Sequence, residues 1–244
     1  MEAKKDNDYW TGFITARSYP MFIPYRRVAE NKEGDLIGRT PRILVTVIST
    51  LVNAHDPSWD AGTRTLTLAD GYRRLAERLG LHNGGNGRAL TNGTLEALAG
   101  YEYPGPQGRG IRIVEDADLS ASRNGRWLRF TPEYVDMLTD DPKSYPLNAF
   151  LLAPTTIVPY DLIALACLYG SHERRVLIPL TTLKLLLPRG AECSERRSRL
   201  RGAVTTANLC QDDWKITLNK ESLAIVPADR YVPLGALVFD LRDA

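Results

Sequence analysis

The order of predicted secondary-structure elements repeats once along this chain of 244 residues. Each pass contains a helix, a short strand, two more helices and a pair of strands, and matching elements lie about 110 residues apart. Solenoid repeats have periods of roughly 20–50 residues, so this spacing excludes a solenoid. The repetition instead predicts two compact domains of one type, which a chain of this length can accommodate.

The first pass begins with an apolar helix and ends with a short helix. Ile43, Val47 and Leu51 share one helical face, and Pro41 stands where a helix favours proline. Thr131 is the predicted N-cap of the closing helix. The predicted segments are helix 41–53, strand 63–68, helices 67–81 and 88–100, strands 110–116 and 125–130, and a helix from Thr131 onward.

The second pass follows the polar stretch 139–147, which has the composition of a linker. Its closing hairpin alternates, with Trp214, Ile216 and Leu218 on one face and Lys215 on the other. The predicted segments are helix 159–169, strand 175–180, helices 181–188 and 194–208, and the hairpin 214–227.

This element order is that of a winged-helix domain. The predicted fold class is therefore α+β, with two tandem winged-helix domains. The predicted boundaries are an N-terminal extension over 1–40, a first domain over 41–140 and a second domain over 148–244. The alternative is an unrelated α+β domain in which short elements resemble a repeat by chance.

Composition and charge set few limits on the partner. The net charge is +2 at pH 7, so any strongly basic surface must come from local clustering. Cys167, Cys193 and Cys210 form no CxxC pair, which favours reduced thiols. Because no apolar run reaches about 18 residues and no secretory signal pattern is present, we expect a cytoplasmic protein that does not bind membranes.

Positive charge is concentrated in "SERRSRLRGAVTTAN", the third helix of the second pass. Its apolar residues share one face of the helical wheel and should pack on the domain: Leu200, Ala203, Val204 and Ala207. The opposite face carries small residues flanked by arginines: Ser198, Arg199, Arg201, Gly202 and Thr205. Gly202 exposes the helix backbone there, which suits close approach to another surface although glycine costs a helix up to about 1 kcal/mol relative to alanine.

We predict that this helix binds double-stranded DNA, since the second helix of a helix-turn-helix lies in the major groove. Arg199 and Arg201 are predicted to reach guanine edges, and Ser198 and Thr205 to exchange hydrogen bonds with bases. The predicted phosphate contacts come from four further basic residues: Arg196, Arg197, Lys215 and Lys220. The alternative is that the cluster is simply a solvated charged face.

The corresponding part of the first domain is less basic. Its predicted DNA contacts are Arg88 and Asn92 on the third helix, with Arg123 and Arg126 on the hairpin. Glu96 on the same helix opposes phosphate binding. We therefore expect this domain either to bind mainly the DNA backbone or to mediate protein contacts.

No motif predicts catalysis. The chain lacks the phosphate-binding GxxxxGK[ST] loop, and His55, His82 and His172 form no metal-binding pair. We therefore predict no catalytic residue, no metal site and no cofactor, in a protein that is not an enzyme.

Several segments resemble the RepA/TrfA-type plasmid replication initiators. "TPRILVTVISTLVN" is similar to the first core helix of that family, and "LTLADGYRRLAERLGLHNGGNGRALTNGTLEAL" resembles its strand–helix–glycine turn–helix block. "RWLRFTPEYVDMLTDDPKSYPLNAFLLAP" and "PYDLIALACLYGSHERRVLIPLTTLKLLL" are similar to its tryptophan-led strand, short helix and second core helix. The chain departs from the family pattern at Pro188, which shortens a helix, and in its weakly basic first recognition helix.

The resemblance implies a sequence-specific initiator that binds iteron-like repeats at a plasmid origin, helps to open AT-rich DNA and recruits the host helicase or initiator. It also implies a switch between a repressing homodimer and an initiating monomer. Two DNA-binding domains in one chain predict an asymmetric site of about 20 base pairs. The alternatives are a transcriptional or partition regulator with the same domains, and a protein-interaction scaffold that has lost DNA contact.

Overall fold

The computed structural model describes residues 11–20, 26–27, 39–68, 95–96, 98–104, 110–120, 126–147, 149, 157–186, 195–229 and 236–238. The chain divides into a first unit over Phe13–Pro142 and a second unit that comprises Met1–Gly12 and Lys143–Ala244. The division falls inside the stretch 139–147, which has linker composition but forms a strand over Lys143–Pro146. Among the described residues, no helix has the length and apolar composition that a membrane span requires.

The described part of the first unit is built from helices and antiparallel sheets. Strand β1 (Thr11–Ile14) begins two residues before this unit and continues into it. The elements that follow are β2 (Arg26–Arg27), α1 (Arg39–Asn53), β3 (Trp59–Asp60), β4 (Thr65–Leu68), β5 (Tyr101–Pro104), β6 (Gly110–Arg112), β7 (Val114–Asp118), β8 (Arg126–Phe130) and α2 (Pro132–Thr139). One sheet has the strand order β3-β4-β8-β7, and another has the order β2-β5-β6. The predicted helix 67–81 lies almost wholly outside the described residues, and of the predicted helix 88–100 the structure describes helical residues at 95–96 and 98–99.

Helix α1 is confirmed but is buried on more than one face, since every residue from Arg42 to Ser49 is buried. Its polar side chains are compatible with burial because they bond to the helix itself. The hydroxyl of Thr46 donates to the carbonyl oxygen of Arg42 at 2.8 Å, and the hydroxyl of Thr50 donates to that of Thr46 at 2.7 Å. The helix therefore forms the centre of the first unit's core.

Residues from the predicted N-terminal extension belong to this core. The backbone N–H of Phe13 donates to the hydroxyl of Thr50 at 2.9 Å, and the hydroxyl of Thr15 donates to the carbonyl oxygen of Met137 at 2.6 Å. Tyr19 is fully buried. The segment is therefore tied to both α1 and α2 by hydrogen bonds over a long sequence separation.

The predicted strand 110–116 is wrong as a single element. It forms two strands in two different sheets, with β6 paired to β5 and β7 paired to β8. Ile113 and Val114 are adjacent in sequence and both are buried. Because successive side chains of one strand point to opposite faces, one half-buried strand cannot bury both, and the chain changes sheet between them.

The predicted capping role of Thr131 is also wrong. Thr131 occupies the N-cap position of α2, but its side chain makes no capping hydrogen bond. Its hydroxyl instead donates to the carbonyl oxygen of Arg112 at 2.7 Å. The Thr131 hydroxyl therefore joins α2 to β6 and does not cap the helix.

The second unit contains the second set of predicted elements. These are β9 (Lys143–Pro146), α3 (Val158–Tyr169), β10 (Arg175–Pro179), α4 (Leu180–Leu186), α5 (Glu195–Leu209), β11 (Trp214–Leu218), β12 (Ser222–Pro227) and β13 (Ala236–Val238). Its sheet has the order β11-β12-β10-β13, with β13 parallel to β10 and the other pairs antiparallel.

The predicted α+β fold with winged-helix order is confirmed. In the second unit a helix, strand, two helices and a hairpin follow one another from α3 to β12, and the sheet places β12 between β11 and β10. In the first unit β8 lies in the same way between β7 and β4. Both units therefore place the closing strand of the hairpin next to the strand that follows the first helix.

Helix α3 is the buried centre of the second unit. All residues from Pro159 to Ala166 are buried, and all of them except Tyr160 and Asp161 are wholly apolar. Gly170 ends the helix and lies so close to Trp214 that a Cβ there would be 2.6 Å from its ring. A glycine at this position lets the last turn of α3 pack against the start of β11.

Candidate nucleic-acid interface

Helix α5 carries the densest group of predicted site residues, and its faces are as predicted. Ala203, Val204 and Ala207 are buried and Leu200 is half-buried, so the apolar face packs on the unit. The residues exposed on the other side, called here the basic face of α5, are Arg197, Ser198, Arg199, Arg201, Gly202 and Thr205. The side chain of Arg196 lies outside the described residues.

The basic face of α5 is connected to the turn of the hairpin. The turn runs over Asn219–Glu221 and is closed by a hydrogen bond from the N–H of Asn219 to the carbonyl oxygen of Ser222 at 2.8 Å. The Arg197 guanidinium donates to the carbonyl oxygen of Asn219 at 3.4 Å. Lys220 is exposed on the same turn. The structure thus brings together an arginine from the first half of α5 and the turn that carries a predicted lysine.

Lys215 is placed differently from Lys220. Trp214 and Ile216 of β11 are buried, whereas Lys215 and Thr217 are exposed. Because side chains alternate along a strand, Lys215 lies on the face of the hairpin that points away from the core. The structure therefore does not join Lys215 to the basic face of α5 by any contact between described residues.

Thr205 uses its hydroxyl proton within the helix. The hydroxyl donates to the carbonyl oxygen of Arg201, one turn earlier, at 3.1 Å. Its oxygen lone pairs can still accept a hydrogen bond. The predicted role of Thr205 at a base edge is therefore restricted to that of an acceptor in this conformation.

Two amide side chains fix α5 to the edge of the sheet. The Asn208 amide accepts from the N–H of Ile216 and donates to its carbonyl oxygen, both at 2.8 Å. The Gln211 amide pairs in the same way with the N–H and carbonyl oxygen of Trp214, the first of these at 2.7 Å. β11 is an edge strand, so its outward backbone groups at these two residues need partners. The two amides act as a short neighbouring strand and hold the helix and the hairpin in one arrangement.

The predicted site residues of the first unit are mostly outside the described residues, namely Arg88, Asn92 and Arg123. Arg126 is described: it is half-buried at the start of β8, opposite Leu68 of β4. Arg126 is therefore the one residue of these four that the described part of the structure places, and the DNA contacts predicted for the first unit stay predictions.

The hairpin of the first unit is rich in acidic residues. β7 has the sequence "VEDAD", in which Glu115 and Asp116 are exposed. The Glu115 carboxylate forms an ion pair with Arg64 at 2.9 Å. Arg112 on β6 lies 3.8 Å from a carboxylate oxygen of Glu102. Arg64 and Arg112, which lie close to this hairpin in sequence or pairing, are thus each near a carboxylate.

Comparison with solved structures gives a match to domain 2 and domain 3 of RctB. The crystal structure of these domains has a TM-score of 0.55 and 11% sequence identity, and the match covers 85% of this chain and 92% of that one. The likeness is one of fold. A second structure of RctB domains 2-3 has a TM-score of 0.45 and 12% identity, with coverage of 76% and 83%. No protein-family model and no curated protein matches the chain.

Sequence reasoning found the charged residues of this surface but not the groups that orient them. Asn208, Gln211 and Asn219 were not predicted to matter. The only signal was the position of two amides three residues apart, one at the end of a helix and one just before a strand, and such a pattern has no characteristic periodicity. Among the described residues, no three His, Cys, Asp or Glu side chains group as a metal site.

Proposed function

We propose that this protein is a replication initiator that binds double-stranded DNA through α5 and the hairpin turn of its second unit. The observation that carries the proposal is the exposure of Arg197, Arg199 and Arg201 on the helix that follows α4, the position of a recognition helix in this fold. RctB, whose domains 2 and 3 share the fold, is a replication initiator, and that likeness supports the same role here.

The proposed roles follow from the position of each side chain. Arg199 and Arg201 lie on the exposed face of α5 and are assigned to guanine edges, which arginine recognises with two hydrogen bonds. Arg197 and Lys220 lie at the junction with the hairpin turn and are assigned to phosphates. Lys215 is exposed on β11, and its contact with a phosphate stays a prediction.

The finer proposal is a plasmid initiator of the RepA/TrfA type. It would bind iteron-like repeats, recruit the host helicase or initiator, alternate between homodimer and monomer, and act in the cytoplasm without a catalytic step of its own. The pattern resemblance over residues 40–228 supports this assignment, as does the likeness to an initiator.

The test is selection of bound sequences from a random DNA pool, followed by binding to the selected duplex at several salt concentrations. If about six phosphates are neutralised, the logarithm of the binding constant should fall with the logarithm of salt concentration with a slope of about −5. A chain that enriches no sequence and shows no salt dependence would contradict the proposal.

The selected sequence also separates an initiator from a regulator. Direct repeats of a long asymmetric motif, and protein-dependent reactivity of neighbouring AT-rich DNA toward permanganate, are expected for an initiator. A palindrome that is bound by a dimer without such reactivity would instead identify a transcriptional or partition regulator.

A further inference from the structure

Gly202 lies in the middle of the basic face of α5. It is exposed, it has helical backbone within Glu195–Leu209, and its φ is outside the left-handed region that favours glycine. Its neighbour Arg201 is exposed, as are Ser198 and Thr205, each about one turn away. Neither the backbone conformation nor the helix therefore requires a glycine.

Packing within the chain does not require it either. Apart from its two chain neighbours and the backbone of its own helix, no atom of the described residues lies within 4 Å of a Cβ placed on Gly202. Gly170 provides the contrast in the same unit, because a Cβ there would meet the Trp214 ring and the carbonyl oxygen of Ala166. Glycine inside a helix lowers stability relative to alanine, so at Gly202 the chain accepts a loss that no contact between described residues explains.

We propose that Gly202 is the point at which the α5 backbone comes closest to the bound duplex, and that it is a specificity-determining residue. This inference rests on the proposed DNA-binding function. The basic side chains beside Gly202 are complementary to DNA, and the major groove is about 12 Å wide while a helix with side chains is about 10–12 Å across. Removing one side chain from the contacting face lets the helix lie deeper, so that the arginines on either side reach the base edges.

If the proposal is correct, replacing Gly202 should raise the stability of the protein but lower its affinity for the selected duplex. Gly202→Ala and Gly202→Leu both replace glycine with good helix formers in open space, so the unfolding midpoint should rise by about 2–4 °C. Affinity for the selected duplex should fall by about tenfold or more with alanine, comparable to the loss of one base contact, and further with leucine. Affinity for a random duplex of the same length should change by less than about threefold, because phosphate contacts tolerate a shallower helix.

The matched control is Gly62→Ala, the same chemical change in an exposed turn of the first unit, where a Cβ would lie 3.3 Å from the Asp60 carboxylate. It should leave the affinity for both duplexes unchanged. Thermal unfolding and fluorescence anisotropy with the full chain measure the two properties, and the duplex selected by the wild-type chain is the probe.

The results distinguish failure of the proposed DNA-binding function from failure of the role proposed for Gly202. If the wild-type chain does not prefer the selected duplex over the random one, the proposed function fails. If it does, but the two Gly202 variants bind as tightly as the wild type, only the inference fails. A lowered unfolding midpoint in both variants, or an equal loss of affinity in Gly62→Ala, would also overturn the inference.

Discussion

The two units share the position of the hairpin's closing strand in the sheet but differ in what their hairpins present. In the second unit the hairpin turn contacts Arg197 and carries exposed Lys220, next to a helix with further exposed arginines. In the first unit β7 carries exposed Glu115 and Asp116, and Glu115 is paired with Arg64. Because DNA binding depends on clustered positive charge, the proposed function assigns the duplex to the second unit.

The two units also differ in the groups that their arginine side chains contact. Arg112 and Arg17 of the first unit face the carboxylates of Glu102 and Asp140. Such exposed ion pairs contribute little to stability, but they neutralise the charge locally. Arg197 of the second unit contacts a carbonyl oxygen, which leaves its full positive charge. Counting arginines in each unit would miss this difference.

The largest expected effect tests the comparison directly. Replacing Arg197 and Arg201 together with alanine should weaken binding of the selected duplex by about 100-fold, since it removes one base contact and one phosphate contact. The matched control replaces Arg17 and Arg112, which has the same effect on net charge, and should weaken binding by less than about threefold. Anisotropy at fixed salt measures both. Equal losses in the two double variants would show that the units do not differ in the way proposed.

The second prediction concerns the amides that hold the hairpin to α5. Asn208→Ala removes both hydrogen bonds to Ile216 and leaves two backbone groups of an edge strand without their partners, so the free energy of unfolding should fall by about 2 kcal/mol. Asn219→Ala, the same substitution at an exposed turn residue, should change it by less than about 0.5 kcal/mol. Urea denaturation of both variants checks this. Similar stability of the two would mean that the paired bonds do not hold α5 to the hairpin.

The third prediction concerns the pH dependence of stability and has the smallest effect at neutral pH. It involves the cysteine thiols, all of which lie in the second unit. Burial raises the pKa of Cys167 from its usual 9.0 to about 12, with a further contribution from the nearby negative charge of Asp213. A group with a raised pKa in the folded state stabilises fully below its unfolded pKa and loses that contribution as the pH rises toward the folded one. The second unit should therefore lose stability progressively between about pH 9 and pH 12.

Cys167→Ala should reduce this alkaline loss while leaving the pH dependence below pH 8 as in the wild type. Denaturant unfolding at a series of pH values measures the change, and iodoacetamide should modify Cys167 slowly at pH 8 until the chain unfolds, because the thiolate is the reactive form. Fast modification of Cys167 in the folded chain at pH 8 would contradict its raised pKa.

Sequence patterns predicted the elements whose side chains follow a single period. The face of α5 could be predicted because Ala203, Val204 and Ala207 recur at helical spacing, and the hairpin because Trp214 and Ile216 alternate with exposed residues. Prediction failed where one expected strand had to bury two consecutive residues. Ile113 and Val114 are both buried, and no single strand accommodates that.

The sequence by itself determined the order of elements, the winged-helix class and the position of the arginine cluster, since these depend on local periodicity and composition. Only the tertiary structure decided which charged side chains lie close to one another. It brought Arg197 to the hairpin turn, left Lys215 exposed on β11 and used Asn208 to orient the helix. The reason is physical: hydrogen bonds and ion pairs between distant segments depend on how those segments pack, and packing geometry leaves no periodic trace in the chain.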